Sequence, residues 1–246
     1  LKAYEIPVGS RYSKGKAIIN LLPRLEPEEK INAMIPVKEF DDRHFLVFVT
    51  KRGIAKKTVL SAFSNIRISG IRAINLDEKD ELMGAALSDG SREMVIATRN
   101  GKAVRIHETL IRSMGRSARG VRAIRLSGDD EVVSMALVQE NSTLLTISEN
   151  GFGKRTPVSQ YRKTGRSAKG VITLKTNEKT GKVVAVLEVS DEDELIVTSK
   201  EGMVIRIPVE SVRQTGRSAV GVKIMQLNEG DKVIAVERLI KENEDK

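Results

Sequence analysis

Two marks recur along this chain at one interval, and that interval limits the fold more than any other feature. The strings GRSARG, GRSAKG and GRSAVG end at Gly120, Gly170 and Gly221, 50 and 51 residues apart. Degenerate copies lie upstream: SRYSKG ends at Gly15 and NIRISG at Gly70. A second register carries Gly53, Gly101, Gly151 and Gly202, spaced 48, 50 and 51. Two independent marks holding one period identify a repeat architecture.

Each unit has the same internal order. A short apolar run comes first: INAMIPV, ELMGAAL, VVSMALV, VVAVLEV and, near the end, KVIAVER. After a loop, usually polar or acidic, a β-branched run follows: FLVFVT, EMVIAT, TLLTIS or ELIVTS. A tight turn with Gly, Asn-Gly at 100–101 and 150–151, favours a hairpin to a third run: IAKKTV, KAVRIH, FGKRTP or MVIRIP. A connection carrying the GRSAxG element leads to a fourth run: IRAINL, VRAIRL, VITLKT or VKIMQL. Runs of five to seven residues rich in Val, Ile, Leu and Thr predict strands. The apolar spacing of helical solenoids is absent, as are the WD dipeptide and the kelch glycine pair. The fold expected is all-β, a propeller-like disc of four-stranded, roughly 50-residue blades, which protects strand edges by radial repetition. The units run over 31–80, 81–131, 132–182 and 183–231, with a partial leading repeat at 1–30 and a trailing strand at 232–240. The start, LKAYEIP, corresponds to the third run of a unit. Either the two ends meet in a smaller ring, or an upstream blade is missing.

Composition removes several functions. With no Cys there is neither a disulfide framework nor a thiolate metal site. Two His, His44 and His107, cannot build a His-rich metal centre, though one could act as a general base. Aromatics at 3% argue against stacking single-stranded bases. No apolar run reaches the length of a membrane span and no signal peptide is visible, so a cytoplasmic protein is expected.

The 42 Lys and Arg against 33 Asp and Glu suggest a polyanionic partner, and their distribution sharpens this. Residues 101–125 hold seven basic residues and one acid; residues 151–175 hold seven and none. Acidic stretches fall between them, as at Asp77–Glu81, Asp129–Glu131 and Glu188–Glu194. In a ring, equivalent elements occupy equivalent places, so the basic parts should form a band. Within GRSAxG the glycines permit unusual backbone and close approach, Ser offers a hydroxyl, and Arg a fork for phosphate oxygens. The G-x-x-x-x-G spacing begins like a nucleotide P-loop, but Val follows where Lys and Ser or Thr are needed. A polymer phosphate is the better target. Arg105 and Arg206, between apolar neighbours in the third run, face either a ligand or an adjoining blade.

These features resemble the C-terminal domain of the bacterial DNA gyrase A subunit. SKGKAIINLL at 13–22, NGFGKRT at 150–156 and the recurring GRSAxGV carry the resemblance, which spans essentially the whole chain. It implies a six-bladed β-pinwheel with exchanged strands. That disc binds and wraps duplex DNA around its rim, and supports negative supercoiling within a complex of A and B subunits. Cleavage and ATPase sites lie elsewhere in that complex, so neither catalysis nor a cofactor is expected here. The family's Gln-Arg-Arg-Gly-Gly-Lys-Gly box does not occur in this chain. Its absence fits a C-terminal fragment of a larger subunit, or a relative lacking the box, as topoisomerase IV proteins do.

The residues expected to hold DNA are Arg116, Arg119, Arg122, Arg166, Lys169 and Arg217, with Arg67, Arg72, Lys14, Lys16 and Lys163 secondary. A protein-binding scaffold is the competing reading, and the scarcity of aromatic anchors counts against it. An enzyme is the third. No paired carboxylates, Ser-His-Asp set or metal cluster is legible, and Tyr4, Tyr12 and Tyr161 do not recur at equivalent positions.

Overall fold

A computed structural model describes residues 1–10, 12–22, 24–26, 28–67 and 69–240. Arg11 of SRYSKG and Ile68 of NIRISG lie outside the described residues. Along the chain run β1 (Phe45–Thr50), β2 (Ile54–Val59), β3 (Leu82–Ser88), β4 (Glu93–Thr98) and β5 (Lys102–His107). Then come β6 (Val121–Arg122), β7 (Val132–Val138), β8 (Thr143–Ser148), β9 (Phe152–Pro157) and β10 (Val171–Ile172). The last are β11 (Val183–Val189), β12 (Glu194–Ser199), β13 (Val204–Pro208), β14 (Val222–Lys223) and β15 (Val233–Leu239). Second and third runs form hairpins where the turn residues predict them, β1–β2, β4–β5, β8–β9 and β12–β13.

The sheets are assembled across the repeats. Their strand orders are β3-β1-β2-β6, β10-β5-β4-β7, β11-β8-β9-β14 and β13-β12-β15. Each hairpin therefore takes a flanking strand on one edge from the first run of the next unit. On its other edge each of the first three hairpins takes a two-residue strand that follows the next unit's GRSAxG element. The pairing of first-run with second-run strands shifts register at the same place in each sheet, at Val49/Thr50 of β1, Ala97/Thr98 of β4, Val183/Ala185 of β11 and Thr198/Ser199 of β12. Such bulges add local twist, which lets successive blades fan out. β3, β7, β11 and β15 pack in succession against one another and form the inner edge. β6, β10 and β14 lie at the opposite, outer edge.

Alternation in the hairpins sends side chains into two cores at once. From β4, Met94 and Ile96 join Val47, Val49 and Ala55 of the first sheet, while Val95 and Ala97 join Leu144, Val158 and Val186 on the other side. A third cluster joins Leu145 and Ile147 to Leu195, Val197 and Val236. A central strand buried on both faces needs a continuous apolar run, which explains why these runs show no polar alternation.

Several predicted strands are absent or short. INAMIPV at 31–37 and IRAINL at 71–76 form no strand, and LKAYEIP holds a 3-10 turn at Ala3–Glu5. The exchange explains this. A first run pairs with the second run of the preceding unit, and a fourth run with the preceding third run. For 31–37 the chain contains no such partner, and for 71–76 the partner would be the 3-10 segment. The later fourth runs supply only two paired residues each, not five to seven. Among the described residues the sheet of β12, β13 and β15 has no outer strand, and β13 is exposed at alternate residues where its counterparts are buried.

Candidate nucleic-acid interface

The GRSAxG connections fold against the outer edge of the preceding sheet. They are pinned on entry by amides donating to third-strand carbonyls: Met114 to Lys57 (2.9 Å), Thr164 to Arg105 (2.9 Å) and Thr215 to Arg155 (2.8 Å). They are pinned on exit by β6, β10 and β14. The closing glycine is required there. Gly120 and Gly170 have φ of +107° and +78°, and a Cβ would lie 2.6 Å from the Ala55 carbonyl oxygen and 2.7 Å from that of Ala103. Gly221 is crowded in the same way by the Gly153 carbonyl. The opening glycines, Gly115 and Gly165, have no atom within 4 Å of that position. The closing glycine thus serves packing between blades, and only the opening one faces open space.

Successive connections are also stitched to each other. Asn75 N donates to Ala118 O (3.2 Å), Arg125 N to Ala168 O (3.0 Å), and Ser167 N to Ala123 O (2.8 Å). At the last junction the Arg217 guanidinium donates to Ile172 O (2.9 Å) and lies 6.0 Å from the Tyr161 ring centroid. The result is a continuous row of basic loops along the outer edge. Arg122, Arg166 and Lys169 are exposed on it, and Arg116 and Arg217 are half-buried. Arg67 and Arg72 stand exposed beside it on the degenerate loop. Two expected residues have acidic partners already: Arg119 pairs with Asp77, and Lys163 with Glu93 (2.7 Å) and Glu140 (3.0 Å). Basic and acidic parts are therefore less separated than their sequence pattern predicts. Lys14 and Lys16 are exposed on the strand-free segment before β1. Arg112 and Arg162, counted in the basic stretches but not singled out, and their equivalent Arg213 are also exposed.

The third-strand basic residues divide by environment. Arg105 is 2% exposed and donates to Val158 O (2.9 Å) and Tyr161 O (3.2 Å) of the next blade, while pairing with Glu93 and Glu140. Arg155 reaches Val212 O (2.6 Å), and Lys57 reaches Glu108 O (3.2 Å), in the same way. They bolt one blade to the 3-10 turn of the next. Arg206 meets no following blade among the described residues and pairs at the surface with Glu194 (2.8 Å).

Two lysines missed in the sequence lie beneath the loops. Lys56 Nζ donates to Ala73 O (2.5 Å) and to Arg116 O, and Lys154 Nζ to Gly216 O (2.6 Å) and to Arg217 O. Burial, with the Arg116 guanidinium adding to it, pushes Lys56 down to about 8; burial and Arg217 do the same to Lys154. A Lys directly before the bolting residue, as in IAKK and FGKR, was the available signal. The aspartate before the last acid of each of two acidic loops is also structural. Asp80 Oδ1 accepts from the amides of Arg52 (2.9 Å) and Glu81 (2.9 Å), and Asp130 Oδ1 from Asn100 (2.9 Å) and Glu131 (3.0 Å), which closes the hairpin turns.

The remaining reactive groups have structural partners. Tyr161 is buried with its hydroxyl 2.6 Å from Thr173 Oγ1. His44 Nδ1 lies 2.7 Å from Asp41, a bond that holds the Asp41 carboxyl down at about 2. Among the described residues no acidic or His cluster could hold a metal, and no helix is long and apolar enough to cross a membrane.

Radial antiparallel sheets, outer strands exchanged between neighbours and a repeated basic loop define a β-pinwheel of the propeller class. A family model described as DNA gyrase C-terminal domain, beta-propeller, matches residues 1–38, 44–89, 92–139, 142–190 and 193–239, and the chain belongs to that family. It is 55% identical over 239 residues to the DNA gyrase A subunit of Halalkalibacterium halodurans, covering 97% of this chain and 29% of the relative. It is 47% identical over 243 residues to that of Clostridium acetobutylicum, covering 99% and 29%. The chain thus spans under a third of these relatives. A solved DNA gyrase A C-terminal domain superposes with a TM-score of 0.84 at 28% identity, over 98% of this chain and 78% of that one. The C-terminal domain of a DNA topoisomerase IV gives 0.85 at 26%, over 92% and 70%.

Proposed function

We propose that this chain binds duplex DNA along its outer edge and bends it, as the non-catalytic C-terminal module of a DNA gyrase A subunit. The observation that carries this is the stitched row of GRSAxG loops, which offers Arg122, Arg166 and Lys169 to one continuous path. Each neutralised phosphate releases counterions and gives affinity with little sequence preference. Smooth bending of a 20–30 bp site by 40–90° costs about 1–6 kcal/mol, which contacts distributed along successive blades can offset. In the complete enzyme the module's partners are the rest of the gyrase A protein and the gyrase B protein. Those parts hold the cleavage and ATPase chemistry, and the module itself needs no cofactor. The compartment is the cytoplasm, on the nucleoid.

A gel-shift titration on linear duplex tests the electrostatic account. With six to ten phosphate contacts, affinity falls about 10³–10⁵-fold between 50 and 200 mM salt. Affinity that is flat across that range refutes it. The topoisomerase IV reading draws on the equally good superposition with that protein's domain. Joining the chain to a gyrase core lacking its own C-terminal domain separates the two: recovered negative supercoiling supports gyrase, and relaxation alone supports the alternative.

A further inference from the structure

At the first junction of the row, the degenerate loop and the first intact GRSAxG loop enclose an open cleft of about 330 Å³ lined by Arg67, Gly70, Ile71, Arg72, Arg116 and Ser117. Three arginines line it. None of them has an ion-pair or side-chain hydrogen-bond partner among the described residues, in contrast to Arg119 and Lys163. Beneath the lining, the buried Lys56 ammonium binds the carbonyls of Ala73 and Arg116. Burial, and secondarily the Arg116 guanidinium, lowers its proton affinity.

The other junctions differ in chemistry. Where the degenerate loop has Arg67, three residues before its closing glycine, the intact loops have Ser117, Ser167 and Ser218. Two residues past the closing glycine, where the degenerate loop has Arg72, the GRSARG loop has Arg122 but the GRSAKG loop has Ile172, onto whose carbonyl Arg217 is folded. Among the described residues, only the first junction therefore lines its cleft with three arginines that have no acidic partner. Guanidinium forks match phosphate oxygens, and the Ser117 hydroxyl adds a donor of the same kind.

We infer that this cleft is a built seat for a single phosphate group, through which Arg67, Arg72 and Arg116 grip the same anion. This deepens the DNA-binding reading and rests on it for the source of the phosphate. The alternative source is a free phosphoryl anion.

The test has two arms on the full chain. In the first, inorganic phosphate is titrated at constant ionic strength while the arginine Nε–Hε resonances are followed. Saturable shifts are expected at Arg67, Arg72 and Arg116, absent from Arg166 and abolished by Arg72→Gln. Uniform, unsaturable shifts at every arginine overturn the seat. In the second, the salt slope of duplex binding is measured. One phosphate contributes about 0.9 to that slope, so Arg72→Gln with Arg116→Gln is expected to lower it by about 0.9. Arg116→Gln with Lys169→Gln, on separate loops, is expected to lower it by about 1.8. A loss of about 1.8 in the first pair means independent contacts and refutes the shared grip. No loss in that pair, beside saturable phosphate binding, assigns the seat to a free anion. If the parent chain binds no duplex, the DNA reading fails and the phosphate arm alone decides the seat.

Discussion

Gly170→Ala separates a glycine kept for packing from one kept for a partner's approach. The new methyl would sit 2.7 Å from the Ala103 carbonyl oxygen and 3.0 Å from its carbon, on a residue with φ of +78°. Left-handed backbone costs a residue with a Cβ about 1–2 kcal/mol. Relief of the clash must move β10 from β5, weakening the Val171–Ala103 pair and the hydrogen bond from Thr173 N to Gly101 O (2.8 Å), at about 1 kcal/mol for each hydrogen bond lost. The sum is about 2–4 kcal/mol. Gly165→Ala, five residues earlier in the same element, meets no atom within 4 Å and requires no left-handed φ. Its loss of unfolded-state freedom is stabilising by about 0.4–1 kcal/mol where the native backbone accepts Ala. Urea unfolding with amide exchange reads both. The Thr173 amide of Gly170→Ala is expected to exchange about 30- to 700-fold faster, at about 1.4 kcal/mol per decade. A Gly170→Ala protein with unchanged midpoint and unchanged Thr173 exchange refutes the packing argument, and more so if Gly165→Ala is the damaging variant.

Other substitutions probe the joints between blades. Arg105→Met strips a buried network and is expected to cost about 3–5 kcal/mol in denaturant unfolding, whereas Arg206→Met, at a surface pair, stays within about 1 kcal/mol. Asp130→Ala leaves the amides of Asn100 and Glu131 without their acceptor and should cost about 1.5–3 kcal/mol, with faster exchange confined to that turn. Lys56 and Lys154 titrate near 8 in the folded chain against 10.5 in the unfolded one, so the unfolded state binds more protons between these values. Stability should therefore rise with pH through that window, and the rise should shrink in the Lys56→Met, Lys154→Met double variant. In duplex binding, Lys163→Gln is expected to change the salt slope less than Arg166→Gln, because Lys163 is paired with Glu93 and Glu140.

Strand positions and hairpin turns were legible in the chain because both are local. Val132–Val138, Thr143–Ser148 and Phe152–Pro157 begin and end where the β-branched runs and Asn-Gly turns place them. The recurring basic loop was legible for the same reason, since a period needs no knowledge of neighbours. Partner choice was not local. The runs 31–37 and 71–76 have strand-like composition and form none, because pairing partners come from the preceding unit.

The clearest division lies in three arginines four residues past a turn glycine: Arg105, Arg155 and Arg206. The sequence alone determined that each stands on a third strand, and that the strands repeat about every 50 residues around a basic loop. Their fates were decided by the tertiary structure. Arg105 and Arg155 meet the 3-10 carbonyls of a following blade, which excludes water and turns each into a buried bolt. No blade follows β13 in the described chain, so Arg206 keeps its hydration and a surface pair with Glu194. Identical local chemistry gives opposite burial because desolvation is set by what packs across the strand, and that neighbour is folded from residues some 50 positions away.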